Sequence, residues 1–125
     1  PGLYATLGNF GYFDVDAAIA GFRKGTSLFE GHPNSHLPGV EWGSGSLGQG
    51  LSVGCGFALA AKMKKTGSHV FVVMGDGEQQ KGQITEACAF ASKLELSQLT
   101  AIVDVNNLQA SGSTAHIMPT HLRAR

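Results

Sequence analysis

Two residues stand out for the chemistry they could share: Asp76, set between Gly75 and Gly77, and Asn106, thirty positions later. A carboxylate and a neutral amide oxygen are hard ligands. They suit Mg²⁺, which prefers octahedral sites completed by water and by substrate phosphates. A carbonyl of the turning backbone, that of Leu108 for instance, could supply a third protein ligand. Gly75 and Gly77 leave their turn bare of side chains, so amides opening the next helix can face an anion. A plainer reading stays open, in which Asp76 only caps that helix and Asn106 only makes a turn.

The elements around these residues give the pairing its sense. Residues 70–74, VFVVM, form an unbroken apolar run that predicts a strand buried on both faces. Over 83–94 the apolar residues Ile84, Ala87, Cys88, Ala91 and Leu94 recur at helical spacing. Residues 99–105 read as a second buried strand, ended by Asn106 and Asn107. Strand, helix and strand in about 36 residues make a βαβ unit, whose strands run parallel through a right-handed crossover. Both strands then end on one edge of the sheet, about 4.8 Å apart, where open α/β sheets bind ligands. Asp76 and Asn106 lie at those ends.

Upstream, a short helical pattern covers 1–11, and Asp14 is placed to cap a helix reaching about Lys24. Residues 25–45 hold no period and are rich in Gly, Pro, His, Asn and Ser, which predicts a long loop of functional use. A helix rich in Gly and Ala is expected from about 47 to 65. Its small residues Gly48, Gly50, Ser52, Gly54 and Gly56 would permit close packing. After Gly112 the pattern dissolves, and 120–125 suggest no element.

Composition bounds the function. At 125 residues, 42% hydrophobic and 14% charged, the chain can bury one core, and disorder is excluded. Nine Lys and Arg balance nine Asp and Glu, which leaves no electrostatic footprint for nucleic acid or an acidic membrane. No apolar run approaches the roughly 20 residues of a membrane span, and no signal-peptide pattern opens the chain. Cys55 and Cys88 lie isolated in apolar helical stretches, as reduced core thiols of a cytoplasmic protein would.

Two long stretches resemble a known family. Residues 75–107, GDGEQQKGQITEACAFASKLELSQLTAIVDVNN, are similar to the thiamine-diphosphate fingerprint: Gly-Asp-Gly, then Asn about thirty residues on. Residues 31–60, GHPNSHLPGVEWGSGSLGQGLSVGCGFALA, resemble the transketolase version of the same domain, and LYATLGNFGYF and FRKGTSLFEGHP resemble its preceding helices. The resemblance implies an α/β fold: a parallel sheet of βαβ units flanked by helices, here a partial thiamine-diphosphate-binding fold, with residues 1–125 one partial, diphosphate-side domain. It begins inside that domain and stops before its end.

By the same resemblance, Asp76, Asn106 and the Leu108 carbonyl are metal ligands, and Gly77 and Asn106 touch the diphosphate. Gly45, Ser46 and Leu47 lie against the aminopyrimidine, and His32 is a catalytic histidine facing the reacting carbon and substrate hydroxyls. The implied activity is that of a transferase of the pentose phosphate pathway. It moves a two-carbon ketol unit from a ketose phosphate to an aldose phosphate with thiamine diphosphate and Mg²⁺. The implied partners are sugar phosphates and the pyrimidine-binding domain or chain of the same enzyme, in a homodimer or heterotetramer. The resemblance also implies histidine-bearing segments upstream in the same domain, and places the glutamate that activates the aminopyrimidine in the pyrimidine-binding domain.

Two positions depart from the family pattern. Ser46 stands where many transketolases have proline, and Lys81 stands where an acid near the subunit interface is common. Other readings are a deoxyxylulose phosphate synthase, an oxo-acid dehydrogenase component, or a non-catalytic assembly module that keeps the fold; the loop GVEWGSGSLGQG favours transketolase. Residues 43–48 fit GxGxxG but follow no strand, which argues against nicotinamide or flavin binding. His32 and His36 are four apart, but Pro33 denies them a regular helix and so a zinc pair.

Overall fold

The computed structural model describes residues 1–120, so the expectation for the chain's end lies, from residue 121 on, outside the described residues. The chain divides into two compact units, Pro1–Gly45 and Ser46–Arg125.

In the first unit, α1 (Gly2–Asn9) and α2 (Val15–Gly21) are both short. Asp14 caps α2 as its position predicts, its carboxylate accepting from the Ala17 N–H at 2.9 Å. The helix ends before Lys24, and Arg23 follows in the left-handed region at φ 58°. Tyr4 and Leu7 of α1 form a core with Leu37 and Val40, and Phe13, Phe22 and Phe29 pack around it. Tyr4 meets Phe22 and Phe29 edge-on, with centroids 6.1 and 5.7 Å apart. Its hydroxyl donates to the Glu30 carbonyl at 2.9 Å. The long loop is therefore anchored: half of this core comes from its HLPGV stretch.

The second unit contains α3 (Gly50–Lys64), β1 (Val70–Gly75), a 3-10 turn (Gly77–Gln80), α4 (Gly82–Lys93) and β2 (Leu99–Asp104). A two-residue hairpin, β3 (Leu108–Gln109) with β4 (Gly112–Ser113), and a one-turn helix, α5 (Thr114–Ile117), follow where the sequence pattern dissolves. Strands β1 and β2 are parallel, in register from Val70 opposite Leu99 to Gly75 opposite Asp104. This is the expected βαβ unit, with boundaries within about two residues of those predicted.

Its core joins Leu51, Cys55 and Ala58 of α3 to Met74, Ile84, Ala87 and Leu96. Burial of each larger aliphatic side chain contributes about 1.5–3 kcal/mol. Gly54 brings α3 so close to the sheet that a Cβ there would overlap Val72 Cγ2, with Leu99 Cδ1 at 3.4 Å. Leu59 packs on this core and Phe57 is exposed.

Two expectations need correction. Neither strand is buried on both faces: in β2, Ala101, Ile102 and Asp104 are exposed, as is Val105 just beyond it. Val72 and Met74 turn toward α3 and α4, whereas Phe71 and Val73 are 65% and 70% exposed, because no described element covers their side of the sheet. Cys88 is exposed on α4, so only Cys55 is a core thiol; both are free. Burial, with Cys88 adding a smaller effect, pushes the Cys55 thiol up.

Candidate functional site

The carboxyl ends of β1 and β2 converge on Asp76. Its backbone N–H donates to the Asp104 carbonyl at 3.1 Å, carrying the parallel ladder one step past Gly75. Its side chain, 5% exposed, accepts from the Gly77 N–H at 2.9 Å through Oδ1 and from the Asn107 N–H at 2.8 Å through Oδ2. Asp76 thus caps the 3-10 turn and also grips the loop after β2. The capping role of the plainer reading is real, yet it does not exhaust the carboxylate. A carboxylate offers about four acceptor positions, and two are used.

Asn106 makes the turn that its residue type favours. Its Oδ1 accepts from the Leu108 N–H at 2.9 Å, and its Nδ2 donates to Asp104 Oδ2 at 3.3 Å. The carboxylate of Asp104 thereby fixes which end of the amide is oxygen. Asn107 follows with φ 62°, which turns the chain into β3, where Leu108 is exposed.

Gly77 sits where a Cβ would lie 2.8 Å from Gln109 Cβ, so the turn admits only a bare backbone. Gln109 is held in turn by Gln80, whose Nε2 donates to its Oε1 at 2.6 Å. One carboxylate, one amide oxygen and a backbone carbonyl fit a hard cation whose remaining positions are filled by water and phosphate oxygens. The set does not suit a soft metal. Among the described residues no three His, Cys, Asp or Glu side chains gather to hold one.

The other predicted residues divide between the units. In the first, the His32 ring lies against Gly45, where an added Cβ would come within 3.2 Å of His32 Cγ. Gly45 has φ 147°, so a side chain there would be strained as well as crowded. His32 is exposed, with its ring fixed on one side by this packing. In the second unit, Ser46 and Leu47 are exposed, and the Ser46 carbonyl accepts from the Gln49 N–H at 3.4 Å.

Three residues with a hand in this geometry were not singled out by spacing: Asp104, Asn107 and Glu78. The Glu78 carboxylate accepts from the Gly48 N–H at 2.7 Å and the Gly75 N–H at 3.3 Å. A Glu just after Gly-Asp-Gly reads locally as charge at a helix start, and only its contact thirty residues back reveals more.

A buried carboxylate at the ends of two parallel strands, beside a turn that excludes side chains, lies where open α/β sheets bind their ligands. Among solved structures, transketolase from Campylobacter jejuni matches with a TM-score of 0.86 and 30% identity, over 98% of this chain and 20% of that one. One of the subunits of the apulose-4-phosphate transketolase of Phocaeicola vulgatus is 44% identical over 93% of this chain and 41% of its own length. The 6-deoxy-6-sulfo-D-fructose transketolase subunit SqwG of a Clostridium species is 39% identical over 95% of this chain and 43% of its own. The chain spans about two fifths of the length of these curated relatives. The family described as transketolase, thiamine diphosphate binding domain, matches residues 2–125, and the chain belongs to it.

Proposed function

We propose that residues 1–125 are part of one diphosphate-side domain of a transketolase-type transferase, which moves a two-carbon ketol unit from a ketose phosphate to an aldose phosphate. The observation that carries this reading is the buried Asp76 carboxylate, which retains acceptor capacity where β1, β2 and the Gly77 turn meet. Asp76, the Asn106 amide oxygen and the Leu108 carbonyl would hold Mg²⁺, and Gly77 and Asn106 would meet the diphosphate. Gly45, Ser46 and Leu47 would lie along the aminopyrimidine, and His32 would serve the substrate's hydroxyls and move protons near neutral pH.

Thiamine diphosphate supplies the carbanion chemistry, while the protein supplies position and electrostatics. Asp76 neutralises part of the cation's charge, and the bare Gly77 turn lets backbone approach phosphate oxygens. The partner is the pyrimidine-binding domain or chain, in a homodimer or heterotetramer; relatives named as subunits support a separate chain. The cytoplasm is the proposed compartment, and no helix of the described residues is long and apolar enough to cross a membrane.

The test is a coupled ketol-transfer assay with ketose and aldose phosphates, thiamine diphosphate and Mg²⁺, on residues 1–125 alone and with both the upstream segment of the domain and a pyrimidine-binding partner supplied. Turnover is expected only with the partner, because the chain's glutamates near the phosphate turn, Glu78 and Glu86, lie at the wrong end of the cofactor to activate its aminopyrimidine. Sustained turnover by residues 1–125 alone would contradict the division of labour.

A further inference from the structure

We infer that Glu78 is a positioning residue whose carboxylate clamps the segment entering α3 to the Gly75–Asp76–Gly77 turn, so that the stretches meant for the two ends of the cofactor hold one spacing. This rests on the site reading above and adds a residue to it. Glu78 is half-buried in the 3-10 turn that follows Asp76. A glutamate there would ordinarily serve the amides of its own turn. Here Oε2 does reach a local amide, that of Gly75 at 3.3 Å, but the shorter bond, 2.7 Å, runs from Oε1 to Gly48, thirty residues away. Hydrogen bonds to an ionised carboxylate are among the strong ones.

The geometry around Gly48 is built for this approach. Gly48 is buried with φ 89°, and a Cβ on it would lie 2.7 Å from Lys81 Cβ and 2.8 Å from Lys81 Cγ. The lysine stem therefore covers the glycine while its amide faces Glu78. A second bond holds the same junction from further along, with Gln83 Nε2 donating to Ser52 Oγ at 3.0 Å. Glu78 is thus the polar tie between residues 46–48 and the phosphate turn. With both carboxylate oxygens engaged by backbone amides, it acts as a spacer between the two segments.

The clamp predicts a split between the cofactor and its phosphate half. In the holoenzyme, Glu78→Ala should weaken Mg²⁺-dependent binding of thiamine diphosphate about tenfold, the scale of one lost charge-assisted hydrogen bond. Binding of inorganic pyrophosphate with Mg²⁺ should change less than about twofold, since Asp76, Gly77 and Asn106 are untouched. Glu78→Gln keeps one acceptor oxygen at the same reach and should recover most of the loss. Hydrogen exchange over residues 46–49 should quicken about tenfold in the Ala variant and less in the Gln variant.

Equal weakening toward both probes would overturn the clamp by making Glu78 a support of the phosphate turn alone. Unchanged affinity for both would also overturn it. If the wild-type enzyme binds neither probe, the site reading falls instead, and the exchange over residues 46–49 alone then decides whether the clamp stands.

Discussion

Asp76 is asked to do two things, and substitutions can separate them. Its oxygens hold the Gly77 and Asn107 amides at 2.9 and 2.8 Å. In Asp76→Ala both donors lose their partner. A stranded buried donor costs about 1–3 kcal/mol, but Gly77 is half-buried and Asn107 exposed, so water recovers part of the loss. The expected destabilisation is about 2–3 kcal/mol. Asp76→Asn keeps one oxygen and turns an NH₂ toward the second amide, so it should cost about half as much.

As a metal ligand the ranking changes. Both variants lose the one charged ligand of the proposed set, and both should bind thiamine diphosphate with Mg²⁺ at least about a hundredfold more weakly, or about 2.8 kcal/mol. Urea unfolding of the cofactor-free protein measures the first effect, and titration of thiamine diphosphate and Mg²⁺ into the assembled, cofactor-free enzyme measures the second. Stability should fall in the order wild type, Asn, Ala, while affinity falls equally in both variants. An Asn variant with near wild-type Mg²⁺ affinity would remove the carboxylate from the metal site. An Ala variant of unchanged apo stability would refute the turn geometry.

Three further outcomes follow from the packing. Gly54→Ala should destabilise the second unit by about 1–3 kcal/mol, visible as an earlier urea midpoint, because the new methyl meets Val72. Burial raises the Cys55 thiol above its ordinary value, so its contribution is complete below the unfolded thiol's pKa and is lost as pH rises through the raised folded value. Cys55→Ala should flatten stability against pH on the alkaline side, and a thiol reagent should label exposed Cys88 in the native protein but Cys55 only on unfolding. Lys81→Glu should leave Mg²⁺ affinity within about twofold by calorimetry and, if the partner surface expects an acid, raise association by light scattering. A large loss of Mg²⁺ affinity would put Lys81 at the phosphate.

What the sequence made legible was local. The VFVVM run, the helical spacing from Ile84 to Leu94 and the Asp14 cap each appear within about two residues of their predicted places. Parallel pairing follows from the crossover length, and it sets Asp76 and Asn106 at neighbouring strand ends. Contacts between distant residues were not legible. The Glu78 bond to Gly48 spans thirty positions and leaves no periodic trace. Leu37 and Val40 sit among glycine and proline in a loop without period, yet both are buried. The apolar run of β1 could not tell one covered face from two, because periodicity alone does not say what lies against either side. Asp104 shows its use only once Asn106 turns its amide back toward it.

Asp76, Asn106 and the Leu108 carbonyl are proposed to share one cation. A crystal of the holoenzyme grown with thiamine diphosphate and Mn²⁺ in place of Mg²⁺ tests it through the metal's anomalous scattering. A single peak is expected at coordination distance, about 2 Å, from an Asp76 carboxylate oxygen, Asn106 Oδ1 and the Leu108 carbonyl. A peak bound to the diphosphate but out of reach of Asp76 and Asn106 would contradict the account.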